Sequence, residues 1–369
     1  MSEIFIGLMS GTSLDGVDAV AVRFGDGGMQ LLGEAFVAYP DSVREQVLSL
    51  QLVADNELDR SARLGNQLAE IYASAVQAVR HTAALEASQV TAVACHGQTI
   101  RHAPQAGYTL QIGNHALLAE RCGIDVIGDL RSRDVAAGGQ GAPLVPAFHQ
   151  AMFASADTPR AILNIGGIAN LTRLHPGLPV IGFDTGPGNM LLDAWIRHHH
   201  DLPYDADGAW AASGQNSSSL LQILLAEPYF ADDIPKSTGR DLFSMEWLAE
   251  RLERHRLQHG DITAANVQAT LLQLSAHSIA HAVTRFAPAT RALYLCGGGV
   301  RNSALCRALQ HLLPSMHIAA TDALGLPAQQ VEAAAFAWLG WCFSRRMAGN
   351  LPEVTGASGL RVLGALYPR

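Results

Sequence analysis

No run of five or more basic residues occurs in the 369-residue chain, and its net charge is −8. Binding to a phosphate backbone needs a positive face, so nucleic acid is not an expected partner. Mg²⁺ and backbone amides can still hold a nucleotide, so the acidic balance does not argue against ATP. No stretch of some 18 apolar residues is present, which excludes a membrane-spanning helix. The start, Met1-Ser-Glu, enters an apolar strand with neither a basic n-region nor an apolar h-region, so no secretory leader is expected. The five cysteines (Cys95, Cys122, Cys296, Cys306, Cys342) form no C-x-x-C pair and are odd in number. These absences point to a reducing, cytoplasmic setting, with Cys95 and Cys296 as buried thiols. Charged residues are only 16% against 49% hydrophobic, the balance of a chain with a large core. Its length suits two domains, each with a core of its own.

What is present alternates between strand and helix. Strands are expected at Ile4–Leu8, Val17–Phe24, Met29–Tyr39, Val90–Cys95, Thr109–Ile112 and Ile124–Ile127. Helices are expected at Ser42–Val53, at Ser61–Leu85, where Leu64, Leu68, Ile71, Ala75 and Val79 recur at helical spacing, and at Asn114–Cys122. The glycine-rich segment Ala136–Pro146, ending in prolines, marks a crossing between domains. The second half then opens as the first did, with a strand at Arg160–Ile165, a Gly166-Gly167 turn and a returning strand to Leu174. Strands at Val180–Phe183, Arg291–Cys296 and His317–Ala320 follow. Helices at Met190–His200, Ser218–Leu225, Met245–Leu257, Ile262–Phe286, Ser303–Leu313 and Val331–Met347 lie between and after them. The pattern predicts an α/β fold of two domains facing a cleft. Residues 1–135 form domain I, to which about 349–369 return, and 136–348 form domain II. Ligands in such folds gather at the carboxyl ends of strands, where His96, Asp129, Asp184 and Gly297 are expected.

Four loops are candidates for chemistry. Gly11-Thr-Ser-Leu-Asp-Gly16 leaves N–H groups free for phosphate oxygens, and Asp15 suits Mg²⁺, chiefly through water. The loop joins two strands and lacks the Walker lysine; it also reads as a polar hairpin turn. Asp184-Thr-Gly-Pro-Gly188 puts a carboxylate where a strand stops, able to accept a proton, with Asn189 as the cap of the next helix. Alone it reads as a turn; two such loops, one in each half, favour a nucleotide. Gly297-Gly-Gly-Val-Arg-Asn302 has the wrong spacing for a dinucleotide fingerprint, but three adjacent glycines let a flat base lie on the backbone. A tight turn is the plain alternative. Gly128-Asp129-Leu-Arg131-Ser-Arg133-Asp134 offers arginines to a carboxylate or phosphate, or forms surface ion pairs. His96-Gly-Gln98-Thr99 suits a sugar hydroxyl or a structural histidine. His198, His199 and His200 are consecutive, fan around a helix end and make no metal pair. Glu332, among Val331 and Ala333–Phe336, suits a buried or cleft position.

Together, Gly7-Leu-Met-Ser-Gly-Thr-Ser-Leu-Asp-Gly-Val-Asp18, His96-Gly-Gln-Thr99, Gly128-Asp-Leu-Arg131, Asn164-Ile-Gly-Gly-Ile-Ala-Asn170, Phe183-Asp-Thr-Gly-Pro-Gly-Asn189 and Cys296-Gly-Gly-Gly-Val-Arg-Asn302 resemble the anhydro-N-acetylmuramic acid kinases of bacteria. These belong to the sugar kinase/Hsp70/actin superfamily, and the resemblance covers essentially the whole chain. It implies the actin-like ATPase type of fold, two domains around a central cleft, in a cytoplasmic enzyme that forms a homodimer. The reaction implied takes 1,6-anhydro-N-acetylmuramic acid, ATP and water to N-acetylmuramic acid 6-phosphate and ADP, in peptidoglycan recycling. ATP contacts are implied at Gly11, Thr12, Ser13, Leu14, Asp15, Gly16, Val17 and Asp18, at Gly166, Gly167, Gly186 and Gly188, and at Gly297, Gly298, Gly299 and Asn302. The resemblance implies Asp184 as the base that activates water. From their own chemistry, Asp15 is the candidate for Mg²⁺ through water, His96, Gln98 and Arg131 are the candidates on the sugar, and Glu332 is a candidate second acid near it. The anhydro sugar has no free 6-hydroxyl, because O6 is tied to C1. Water must open C1, and the departing O6 can take the phosphoryl group, so one base suffices where a glycosidase uses two carboxyls. A kinase of another amino sugar and an actin- or Hsp70-like ATP switch are the alternatives. The sugar-side candidates favour a kinase, and no spare segment provides the partner-binding domain of a switch.

Overall fold

The computed structural model describes residues 2–11, 13–25, 28–239 and 241–369. The chain divides into two compact units, Met1–Met152 with Gln330–Arg369, and Phe153–Gln329. In the first unit the strands are β1 (Glu3–Met9), β2 (Gly16–Gly25), β3 (Gly28–Ala38), β4 (Ala92–Cys95), β5 (Gln98–Ala103), β6 (Tyr108–Ile112) and β7 (Val126–Gly128). In the second they are β8 (Arg160–Ile165), β9 (Ile168–Leu174), β10 (Ile181–Pro187), β11 (Ala292–Cys296) and β12 (His317–Ala320). The first main sheet runs β3-β2-β1-β4-β7 and the second β10-β9-β8-β11-β12. In each, the first three strands are antiparallel and the last two join in parallel. The two halves thus share an architecture although their sequences differ. A further strand, β13 (Ala365–Tyr367), adds antiparallel to β7 and completes the first sheet.

The central parallel strands β4 and β11 are short apolar runs buried on both faces, as sheets covered by helices require. In the first unit, Ile6, Leu8, Val17 and Ala19 share a core with Leu64, Leu68, Tyr72 and Val79 of the helix Glu57–Thr82. The opposite face meets the helix Val331–Ser344, which is apolar almost all round and buried from Ala333 to Gly340. Close approach there depends on glycine. A Cβ on Gly7 would strike the backbone at Ala333 and Ala337, and one on Gly340 would press on Ala94. The second unit's core gathers Leu163, Leu171 and Leu293 with Leu271, Leu274 and Ile279 of the helix Ala264–Phe286.

The unit boundaries differ from those read in the sequence. Residues 136–152 and 330–348, expected with the second domain, lie in the first unit. Two causes explain it. The helix Val331–Ser344 needs the first sheet to bury its apolar surface. The proline-bearing segment at 143–146 opens the helix Val145–Phe153, with Pro146 in its first turn, where a missing N–H costs little. Phe148 of this helix meets Trp338 edge-on, with ring centroids 6.1 Å apart. No described helix is long and apolar enough to cross a membrane.

Gly7→Val should lower the unfolding free energy by about 1–3 kcal/mol, the usual cost of forcing bulk into a close-packed contact. The urea midpoint measures it; an unchanged midpoint would mean that the helix Val331–Ser344 is not pressed onto β1.

Candidate active site

In the first unit, the loop after β1 rests on a buried polar network. Ser10 Oγ donates to the Gly97 carbonyl at 2.9 Å and lies 3.0 Å from Tyr72 Oη. Tyr39 Oη is 3.3 Å from Tyr72 Oη and donates to Gln98 Oε1, and Gln98 Nε2 donates to the Gly11 carbonyl at 3.2 Å. Burial pushes Tyr39 up to about 12 and Tyr72 well above its ordinary value, so the network is neutral at physiological pH. Above it, Ser13 and Asp15 are exposed, and Ser13 Oγ donates to Asp15 Oδ1 at 2.6 Å. Leu14 adopts φ 59°, and a left-handed residue in a loop helps turn successive N–H groups to one side, as an anion cradle needs.

Other residues of this loop also serve the core through their side chains, which leaves their backbone N–H groups as what they would offer a phosphate. Leu14 and Val17 are core side chains, 2% and 0% exposed. Gly16 is buried, and a Cβ there would run into Phe36 and the Val37 carbonyl. Thr12 lies outside the described residues, and Asp18 is half-buried in β2. Gln98, fully buried with both ends of its amide engaged, supports the loop from beneath and is not presented to a sugar.

His96, Arg131 and Glu332 are brought together. Arg131 Nε donates to His96 Nε2 at 2.9 Å and Nη1 to the Gly141 carbonyl at 2.7 Å. His96 Nδ1 lies 3.2 Å from the Ser10 carbonyl, and its ring tilts against Phe336 at 4.7 Å. Burial, and then the Arg131 charge, hold His96 well below its ordinary pKa. Burial also lowers Arg131 to about 10, opposed by the nearby Glu332 and Asp134 carboxylates; it stays cationic at neutral pH. Asp134, fully buried, anchors the segment: Oδ2 accepts the Gly141 N–H at 2.8 Å, and Oδ1 accepts Asn350 Nδ2 at 2.7 Å and Thr355 Oγ1 at 2.8 Å. Asp129 and Arg133 are exposed.

In the second unit, Asp184 does not stand where its strand stops. β10 continues to Pro187, and the register with β9 shifts between Asp184 and Gly186. A bulge of this kind re-aims a side chain. The backbone around Asp184 is clamped: its N–H donates to the Lys236 carbonyl at 3.2 Å, and its carbonyl accepts Tyr229 Oη at 2.7 Å. Its carboxyl Oδ2 accepts the Thr238 N–H at 3.1 Å. Lys236 Nζ donates to the Tyr229 carbonyl and sits 4.6 Å from the centroid of that ring. Burial raises Asp184 to about 6, moderated by the Thr238 N–H. Tyr229, Lys236 and Thr238 escaped the sequence reading, for no motif marks them and 45 to 54 residues separate Tyr229 and Thr238 from Asp184.

The Asp184–Gly188 stretch is not an open phosphate turn. The N–H groups of Gly188, Asn189 and Met190 are spent on the Gly166 and Gly167 carbonyls. A Cβ on Gly186 would meet the Phe230 ring, and one on Gly188 the Gly166 carbonyl. Asn189 caps nothing with its side chain and donates instead to the Gly166 carbonyl at 3.2 Å. Gly167, at the hairpin tip, is exposed. In the glycine run after β11, Gly297 (φ 81°) and Gly299 are constrained by Asn164 and Ile165, while Gly298 is exposed with nothing near its Cβ position. Gly298 is thus the bare backbone against which a base could lie. Asn302 is a helix cap whose Oδ1 accepts the Leu305 N–H at 3.0 Å, so that oxygen is committed within the fold.

The donors fit a loosely held Mg²⁺. Asp15 offers an exposed carboxylate beside Ser13, and Mg²⁺ keeps several waters, binding through one or two carboxylates and the substrate's phosphates. Among the described residues no group of three His, Cys, Asp or Glu side chains forms a metal cage.

The sequence model of the anhydro-N-acetylmuramic acid kinase family matches residues 3–369. A protein of that name from Chromobacterium violaceum is 57% identical, over 100% of both chains. One from Bordetella petrii is 55% identical over 99% of this chain and 96% of its own, and one from Nitrosomonas europaea is 51% identical over 99% of each. Among solved structures, the activator of 2-hydroxyisocaproyl-CoA dehydratase from Clostridium difficile aligns over 94% of this chain and 96% of its own, at 13% identity and a TM-score of 0.47, too distant for chemistry to carry over.

Asp134→Ala takes the shared acceptor from the Gly141 N–H, Asn350 and Thr355 and should cost roughly 3 kcal/mol or more of stability. Denaturant unfolding checks it, and a loss below 1 kcal/mol would remove Asp134 as the anchor of the Arg131 segment.

Proposed function

Because the chain belongs to the anhydro-N-acetylmuramic acid kinase family, we propose that it opens the 1,6-anhydro ring of its sugar by adding water, with O6 taking the γ-phosphoryl group of ATP. The protein is an enzyme, a kinase of anhydro-N-acetylmuramic acid, which removes the ATP-switch alternative. The observation that carries the finer reading is Asp184: a carboxyl held at a bulge, on a clamped backbone, with its pKa raised to about 6. A carboxylate so tuned is ionised at neutral pH and basic enough to accept a proton.

In this reading, Asp184 takes a proton from a water molecule as that water's oxygen bonds to C1. The C1–O6 bond breaks and its electron pair stays on O6. O6 bonds to the γ-phosphorus, the bond to the ADP oxygen breaks, and the products are N-acetylmuramic acid 6-phosphate and ADP. Arg131 offers its cation to an anionic group of the sugar, and Glu332, its acidic neighbour, favours that charge. The loop of Gly11, Ser13 and Asp15 and the backbone at Gly298 are the parts suited to phosphates and to the adenine base. Mg²⁺, when bound, would neutralise charge on the phosphoryl oxygens, with Asp15 as the residue fitted to hold it. We extend the reading to recycling of cell-wall fragments in the cytoplasm by a homodimer, whose mass sedimentation would measure.

Asp184→Asn should reduce kcat by about 10²–10⁴ while ATP affinity survives, the scale expected of a general base. Near-normal turnover would remove Asp184 from the chemistry. The pH profile gives a separate check. Below about 6 the Asp184 carboxyl is protonated and has no base to offer, so kcat/KM should fall about tenfold for each further pH unit. A flat profile down to pH 5 contradicts the assignment.

A further inference from the structure

His96 is spent at both ends. The Ser10 carbonyl can only accept, so Nδ1 carries the ring proton; Arg131 Nε can only donate, so Nε2 offers its lone pair. Both contacts are met by one neutral tautomer, and neither leaves a ring nitrogen for a ligand. The ring is 4% exposed and flanked by Phe336, with Glu332 four residues earlier on the same helix. Arg131 is held through Nε and Nη1, which fixes the plane of its guanidinium. With Nε and Nη1 engaged, Nη2 keeps its N–H donors for an anionic ligand. Ser10, at the other end, roots the loop that carries Gly11, Ser13 and Asp15, and its hydroxyl is tied to Gly97, the residue after His96.

We infer that His96 is not a sugar ligand but a two-ended positioning residue, its Nε2 aiming Arg131 at an anionic group of the sugar and its Nδ1 holding the root of the ATP loop. This rests on the reading that Arg131 serves the sugar and the Gly11–Asp18 loop serves ATP.

The two ends separate by substitution. His96→Asn places an amide donor near the Nδ1 position and removes the acceptor for Arg131. His96→Gln places an amide oxygen near the Nε2 position and removes the donor to Ser10. His96→Asn should raise KM for the anhydro sugar roughly tenfold or more, the scale of one charge-assisted hydrogen bond, with KM for ATP within about twofold. His96→Gln should restore the sugar KM and raise that for ATP instead. Arg131→Ala and Asp15→Ala are measured alongside, with melting temperature for every variant. If Arg131→Ala leaves the sugar KM unchanged, or Asp15→Ala the ATP KM, the underlying reading fails. If both controls behave and the two His96 variants shift both constants alike, in step with the melting temperature, His96 is only a packing residue and the inference is overturned.

Discussion

The hydrogen bond from the Thr238 N–H to Asp184 Oδ2 is the constraint on which the proposed chemistry depends. Burial alone would push the carboxyl further toward its neutral acid, useless as a base, while more donors would drive it toward an ordinary, weakly basic carboxylate. The balance settles at about 6, which costs the charged form about 3 kcal/mol. The rest of the fold carries that cost through the clamp on the same residue: Tyr229 on its carbonyl, Lys236 on its N–H, and the bulge that follows it in the strand.

The first unit meets a related problem with a cation. Arg131 is partly buried, and burial works against its charge. The structure answers with a neutral imidazole and a carbonyl as direct acceptors, and with two acids nearby that favour the charge. A tight carboxylate partner would neutralise the guanidinium, whereas His96 and Gly141 hold its position and leave its charge for a ligand. Asp134 then ties this segment to Asn350 and Thr355 from the chain's last stretch. Residues 330–369 are therefore part of the site's support, which explains why they fold with the first unit.

Much of this was legible in the sequence. The strands on either side of the glycine turns, the helices with apolar stripes and the repeated opening of the two halves follow from periodicity and turn chemistry. His96 and Asp184 stood out because a polar residue after an apolar run lies near a strand end, and Arg131 because an arginine suits a carboxylate or phosphate. What could not be read were long-range bonds through the backbone. Thr238 serves Asp184 with its N–H, a group every residue but proline has, so its identity gives no signal. Glycines misled for a similar reason. Gly186 and Gly188 have the spacing of an anion loop, but their small size serves contact with Phe230 and Gly166. Gln98, read as a sugar ligand, is a buried support whose partners lie in other segments, whereas Asn302 caps the helix that follows it. The helix Val145–Phe153 was hidden by prolines, which are harmless at a helix start.

The central claim is that water attacks the sugar at C1 while O6 keeps its oxygen and takes the phosphoryl group. A short reaction in ¹⁸O-water, read by mass spectrometry and run beside unlabelled product in the same water to account for exchange, tests it directly. The account predicts ¹⁸O at C1 above the exchange control and none in the phosphate ester. Label in the phosphate, with C1 no richer than the control, would contradict it.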